Sequence, residues 1–320
     1  MRIIKGPLIM KRSIPIHLIH DDLYSGWVFE PAHPTQGRRF NNAKDFLLTL
    51  SREENLEIVE LTPRLATSEE LERVHSPKYV REVIKDHVSN EWQGIRPDLS
   101  QLATLFAGGT LEALRQLLEK EARLAVHFAG AKHHSQFDRS SGFCIFNDFA
   151  LAAEIATKDY GLNVLILDID AHHGDGVEFL LADNYKAVTI SIHERGIFPG
   201  TGNESERGNY YNFPLKTGAT DRHLLEAVDS FIEIVGARER IWDWTPDLLF
   251  ITCGADGHEE DPLTSLNYSV EGYVQVARKL RFRFPDLPIL LGGAGGYLPD
   301  TRTPEVWAKF VAQLSLEAQN

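Results

Sequence analysis

The sequence predicts an α/β fold around a mostly parallel sheet. Short β-branched runs recur along the chain, and several are apolar at nearly every position, as in strands buried on both faces. Stretches with helical periodicity lie between them. No linker rich in Pro, Gly or Ser divides the chain, so residues 1–320 read as a single domain.

The elements follow in order. IPIHLIH at 14–20 opens as a strand, and a helical pattern at 41–53 separates it from the strand LEIVEL at 56–61. Helical patterns at 78–87 and 99–121 lead to the strand LAVHFAG at 124–130. A helix at 148–158 precedes the strand NVLILDID at 163–170, and AVTISIH follows at 187–193. Helices at 221–240, 269–283 and 303–317 alternate with the strands LLFITCG at 248–254 and PILLGG at 288–293. Asp221 and Ser269 are the expected N-caps of two of them, since a short polar side chain there accepts from the first free amides. The stretches 131–147, 194–220, 254–268 and 292–302 read as loops. Three of them directly follow strong strands, and parallel sheets bind ligands beyond the carboxyl ends of their strands.

Composition narrows the classes. The 320 residues carry 33 basic and 46 acidic side chains, a formal charge of −13, with 43% hydrophobic residues. That profile predicts a soluble globular protein. It argues against nucleic acid as the main partner, which needs concentrated Lys and Arg, and is compatible with a cationic substrate. No apolar run approaches the roughly 18 residues of a membrane helix. The first residues, MRIIKGPLIMKRSIP, are interrupted by Gly6, Pro7 and Lys11, so they do not read as a signal peptide. Only Cys144 and Cys253 are present, which excludes a disulfide framework and a Cys-rich zinc module and suits reduced thiols in the cytoplasm.

The densest chemistry is Asp168-Ile-Asp170-Ala-His172-His173-Gly-Asp175, five ionisable side chains in eight positions after a buried strand. If the extension continues, Asp168, Asp170 and His172 share one face. Carboxylates with an imidazole form a ligand set for a divalent metal. A lone Asp-x-His here would read as a polar strand end with Asp175 capping the next helix. This many charges beside a buried strand are costly without a compensating ion. Asp256, after LLFIT, supplies a further ligand. Two carboxylates and one imidazole nearly neutralise a divalent ion, so water held there needs a separate base. Lys132-His133-His134-Ser135 offers the histidines, and Asp168 and Asp175 could each orient one of them through Nδ1. In Leu291-Gly-Gly-Ala-Gly-Gly-Tyr297 the glycines allow close backbone approach, and Tyr297 could donate to a developing oxyanion.

Together these segments resemble the zinc-dependent histone deacetylase superfamily, which includes bacterial histone deacetylase-like amidohydrolases, acetylpolyamine amidohydrolases and acetoin-utilisation proteins. HFAGAKHHSQFDRSSGFCIFND (127–148), VLILDIDAHHGDGVEF (164–179), ISIHERGIFPGTG (190–202), CGADGHEEDPL (253–263) and LGGAGGY (291–297) carry the resemblance, in family order. HPTQGRRF (33–40) and VHSPKYV (74–80) resemble its N-terminal motifs.

The resemblance implies an arginase/deacetylase-like three-layer α/β/α sandwich with a parallel sheet of about eight strands. It implies hydrolysis of the amide of an acyl-lysine or acylated amine by metal-activated water. Asp170, His172 and Asp256 would bind Zn2+, with Fe2+, Co2+ or Mn2+ as alternatives. His134, oriented by Asp175, would be the general base and then the acid. His133, oriented by Asp168, would give electrostatic support, and Tyr297 would stabilise the oxyanion. Gly142, Phe143, Phe198 and Leu263 would line a substrate tunnel. Asp168, Asp170, His172 and Ser191 would surround a structural potassium ion, some through backbone carbonyls, and Arg39 would lie near an internal acetate channel.

Three departures stand out. The glycine loop is one residue longer than usual, a tunnel position usually aromatic is Ile197, and the rim 88–97 lacks a clear counterpart of the aspartate that grips a peptide backbone in eukaryotic deacetylases. The rim favours another protein or a small amide, such as an acylated polyamine, over histone tails; the loop bears on the placement of Tyr297, and Ile197 would widen the entrance. A ureohydrolase with two manganese ions shares the fold, but its motifs need aspartates where this chain has Gly174 and His258. A catalytically silent acyl-lysine binder would keep the tunnel without turnover, yet every expected catalytic group is present.

Overall fold

The computed structural model describes residues 13–203 and 206–317. The first twelve residues, including the segment weighed as a signal peptide, lie outside them. The strands are β1 (Ile16–Ile19), β2 (Ile58–Leu61), β3 (Leu124–His127), β4 (Val164–Asp168), β5 (Ala187–Glu194), β6 (Glu206–Arg207), β7 (Tyr210–Leu215), β8 (Leu248–Thr252) and β9 (Ile289–Gly292). They form one sheet in the order β2-β1-β3-β9-β8-β4-β5-β7-β6. Only the two-residue β6 is antiparallel, so eight strands run parallel among the described residues.

The helices are α1 (Arg38–Glu54), α2 (Ser68–Leu71), α3 (Pro77–Ile84), α4 (Pro97–Leu118), α5 (Asp148–Asp159), α6 (Asp175–Leu180), α7 (Asp221–Trp242), α8 (Val270–Arg283) and α9 (Arg302–Ser315). They pack in two groups. α1, α9, α8 and α7 follow one another on one side, and α2 to α6 form the other. The sheet between them explains the apolar runs: every residue of β3, β4, β5, β8 and β9 is buried. β2 is an edge strand, and no residue of it is fully buried. Trp307 of α9 stacks on Phe40 and Phe128 and donates its indole N–H to the Cys253 carbonyl at 2.7 Å, fixing α9 against the end of β8.

Several sequence expectations are corrected. β7 falls inside 194–220, read as a loop. Its sequence carries Asn212 and Pro214, and its strand character comes from pairing with the fully buried β5. α6 is the short helix that the polar strand-end reading of this stretch expects. Its N-cap is Gly174, with Asp175 in the first turn rather than capping it. Ser269 does cap α8, accepting from the Gly272 amide. Asp221 is not a cap: Thr220 is, and Asp221 accepts from the amide and hydroxyl of Ser269, tying the starts of α7 and α8 together.

The sheet register positions the site. His127, Gly292, Thr252, Asp168 and Ser191 sit side by side in one row across β3, β9, β8, β4 and β5. Four neighbouring central strands therefore end level, and the loops that leave them open over one another.

Candidate metal and catalytic centre

β4 stops at Asp168, so the extended face expected to carry Asp168, Asp170 and His172 does not continue. The chain turns instead, and the turn is held by carboxylates. Asp168 accepts from the Asp170 amide at 2.9 Å, and Asp170 accepts from the His172 amide at 2.9 Å. The loop after β8 brings in Asp256, whose Oδ1 accepts from the Ala171 amide at 2.9 Å. The loop after β9 adds the Gly295 amide, which donates to Asp170 Oδ2 at 2.7 Å.

Asp170, His172 and Asp256 bring their ligand atoms within 4.8 Å of one another, and all three are buried. His172 Nδ1 lies 2.9 Å from Asp256 Oδ2 and 3.2 Å from Asp170 Oδ1. Burial and then Asp170 push the Asp256 carboxyl up. Burial alone would lower His172, but the two carboxylates outweigh it and lift it to about 11. Two carboxylates and an imidazole thus meet in one buried spot. An oxygen–oxygen–nitrogen set of this kind fits a divalent ion.

Glycines make the approach possible. A Cβ on Gly295 would run into the carboxylates of both Asp256 and Asp170, and one on Gly254 would strike Asp170. Gly295→Ala should therefore weaken divalent-metal affinity at least tenfold while leaving the far-ultraviolet circular dichroism unchanged, because overpacking costs about 1–3 kcal/mol and falls on the ligands. Metal titration of the purified variant checks this, and wild-type affinity would refute it.

The tandem histidines stand beside this cluster, their rings 4.0 Å apart. His133 Nδ1 is 2.7 Å from Asp168, and its Nε2 is 3.8 Å from Asp170. His134 Nδ1 is 2.7 Å from Asp175, whose other oxygen accepts from Gln136 at 2.8 Å. The two diverge electrostatically. Burial would lower His133, but Asp168 and Asp170 lift it to about 9. Burial, and then the neighbouring His133, push His134 down to about 3. One imidazole is held cationic and the other neutral.

Tyr297 lines the same cavity as His133, His134, Asp170, Gly142 and Phe143, despite the longer glycine loop. Its amide donates to Asp261 Oδ2 at 2.8 Å. Burial raises its hydroxyl well above the ordinary value, so it stays a donor. Gly142 adopts φ +54°, and a Cβ there would meet His134 and Phe198. The Phe198 ring stands edge-on to His134 at 5.0 Å and is half exposed, at the mouth. Leu263, 40% exposed, bonds through its amide to Asp261 and is not among the residues lining the cavity.

Ser191 lies opposite Asp168 in the sheet, with its hydroxyl 2.9 Å from His193 Nδ1. Arg39 is buried and donates to the Gly296 carbonyl at 2.6 Å. The rim does contribute a carboxylate: Glu91 accepts from the Phe143 amide at 3.1 Å.

Sequence reasoning missed Asp261 as a functional residue. It is buried, accepts from both Leu263 and Tyr297, and is pushed up to about 7 by burial and then Asp256. It follows exposed Glu259 and Glu260 in one acidic run, and nothing local distinguishes it from them. Asp148 was likewise read only as a helix start. It is fully buried and holds the loop before the histidines through the amides of Ala131 and Lys132.

The matches along the chain give its class, a deacetylase-type hydrolase. The histone deacetylase domain model matches residues 33–314, and the chain belongs to that family. It is 33% identical over 315 residues to the acetoin utilization protein AcuC of Bacillus subtilis (strain 168), covering 91% of this chain and 80% of that protein. The acetoin utilization protein AcuC of Staphylococcus aureus (strain MRSA252) is 30% identical, over 91% of this chain and 79% of its own length. Histone deacetylase 9 of Arabidopsis thaliana is 30% identical over 312 residues, 90% of this chain and 70% of that protein. Among the described residues no helix is long and apolar enough to cross a membrane.

Proposed function

We propose that the chain is one catalytic domain that hydrolyses the amide of an acyl-lysine or acylated amine, with a divalent metal held by Asp170, His172 and Asp256. The observation that carries this reading is the meeting of those three donors beside two histidines, each held through Nδ1 by its own carboxylate. A zinc-like ion there supplies Lewis acidity toward the carbonyl and lowers the pKa of water.

The chain's own groups do the rest. His134 gives its Nδ1–H to Asp175, which leaves Nε2 free to take the proton of the attacking water. The same Nε2 then protonates the leaving nitrogen, so the amide and water become a carboxylate and an ammonium. His133, cationic and braced by Asp168, stabilises negative charge as it develops. The Tyr297 hydroxyl donates to the former carbonyl oxygen. Phe143 and Phe198 wall the acyl-bearing stem, with Leu263 at the entrance and the Gly142 carbonyl accepting the substrate N–H. Ser191, Asp168, Asp170 and His172 are the surroundings assigned to a structural potassium ion. The preferred substrate is an acylated lysine in another protein, or an acylated polyamine or other small amide, in the cytoplasm.

Acyl release by metal-reconstituted enzyme tests this, on acetyl-, trifluoroacetyl- and long-acyl-lysine peptides and acetylated polyamines, with and without a hydroxamate. Hydroxamate-sensitive turnover is expected. No turnover together with no hydroxamate binding would sink the reading.

Two narrower results are expected. Tyr297→Phe should lower kcat by about 10²–10³ with metal content unchanged, the usual cost of one oxyanion donor. Near-normal kcat would mean that the donor lies elsewhere. The acid limb of kcat/KM should fall below the ordinary imidazole value of about 6.5, because His134 must be neutral to act and its environment disfavours the proton. A limb above 6.5 in the pH–rate profile would contradict that role.

A further inference from the structure

The rim segment 88–97 contains a single carboxylate, Glu91, which has no role in the chemistry above. It is half-buried and makes no ion pair among the described residues. Its neighbours tie the segment to the loop that carries Gly142 and Phe143. The Asn90 side-chain amide donates to the Ser140 carbonyl at 2.9 Å and accepts from the Ser140 hydroxyl at 2.7 Å. Ser89 lies 2.5 Å from the same hydroxyl. Glu91 Oε2 then accepts from the Phe143 amide.

That amide belongs to a tight turn. Ser141 and Cys144 exchange both backbone bonds, at 3.1 and 2.9 Å, and enclose Gly142 and Phe143. Both enclosed residues are left-handed, with φ +54° and +66°. Two left-handed central residues make a type I′ turn, which favours Asn-Gly or Gly-Gly. A Gly-Phe pair suits type II′ better, because only its first central residue is left-handed. The two turns differ by a rotation of the central peptide through roughly 180°. The local sequence thus favours one orientation of this peptide, and the structure holds the other.

Glu91 supplies the reason. In the observed turn it accepts from the Phe143 N–H. A trans peptide points its carbonyl the opposite way, so the Gly142 carbonyl faces away from Glu91. Cys144, which lines the cavity, donates its thiol to that carbonyl at 3.4 Å. In the rotated turn the Gly142 oxygen would face the carboxylate, and two acceptors would meet.

We propose that Glu91 is a positioning residue that holds the Gly142–Phe143 peptide with its carbonyl toward the substrate, and so makes the site selective for amides that carry an N–H. The inference rests on the reading above, in which the Gly142 carbonyl accepts the substrate N–H. It names the substrate class more closely: secondary amides, in preference to esters.

The experiment compares an acetyl-lysine peptide with the same peptide carrying oxygen in place of the side-chain nitrogen, an acetyl ester without the N–H. The dissociation constant and kcat/KM are measured for metal-loaded wild type, Glu91→Gln and Glu91→Ala. Esters are intrinsically more reactive, so each variant is compared with wild type on the same substrate. Glu91→Ala should lose about tenfold in kcat/KM on the amide and stay within about threefold on the ester, as expected for one hydrogen bond. Glu91→Gln keeps an acceptor oxygen and should stay within about threefold on both. In protein labelled with 15N-phenylalanine, the Phe143 amide proton should move upfield in Glu91→Ala. An equal loss on both substrates would reduce Glu91 to a general support of the loop and overturn the proposal. An unchanged amide rate in Glu91→Ala would overturn it too. Should wild type hydrolyse neither peptide, the hydrolase reading falls and the dissociation constants decide. An amide preference that Glu91→Ala abolishes would sustain the positioning role, and one that is absent or unaltered would end it.

Discussion

Asp256→Asn is expected to abolish divalent-metal binding and, with it, amide hydrolysis. The substitution keeps shape and keeps an oxygen for the Ala171 amide, so the turn after β4 should survive. It removes one of the two negative charges of the cluster. It also replaces an ionic ligand by a neutral one in a buried site, where the charge of the ligand set decides affinity. Asp170→Ala should do the same and also release the amides of His172 and Gly295, so it is expected to cost stability as well, about 1–3 kcal/mol for each amide left unsatisfied. Elemental analysis of the purified variants, turnover and thermal melting check the three parts separately. A metal-replete, active Asp256→Asn would show that the ion is held elsewhere.

His134→Ala is expected to retain metal and lose turnover by about 10²–10⁴, the range for removing a positioned general base. His134 is not a member of the three-donor cluster, so metal content should match wild type. His133 is the poorer base for the task, because Asp168 and Asp170 favour its protonated form. The same reasoning gives a contrast: His133→Ala should keep the base and lose only electrostatic support, a smaller effect. Single-turnover rates on metal-replete protein decide the order. If His134→Ala were the faster of the two, the roles would be exchanged.

Much of the fold is readable locally. Seven strands announce themselves as apolar runs, and each falls within two or three residues of its position in the sheet. β7 does not, because its strand character is contributed by its neighbour: the six residues Tyr210–Leu215 include two poor strand formers and become a strand only where β5 offers a row of unpaired backbone groups. The helix starts show the same limit. Ser269 caps α8 as a local rule predicts, whereas Asp221 is drawn to Ser269 across 48 positions and leaves the cap to Thr220.

The candidate site divides along the same line. The residue types, their order along the chain and their place after strands are sequence properties, since side-chain chemistry and strand periodicity are local. That Asp256 meets Asp170 and His172, more than 80 positions away, follows from β8 lying beside β4 with level ends. That adjacent histidines are pushed in opposite directions follows from their burial and their neighbours: Asp168 and Asp170 favour the proton on His133, and burial with the nearby His133 disfavours it on His134. Asp261 and Lys132 are ordinary charged residues in the sequence; burial made one a brace for the Tyr297 backbone and set the other over the rings of Phe40 and Phe106. Strand order and desolvation are properties of the assembled core, and no local window of sequence contains them.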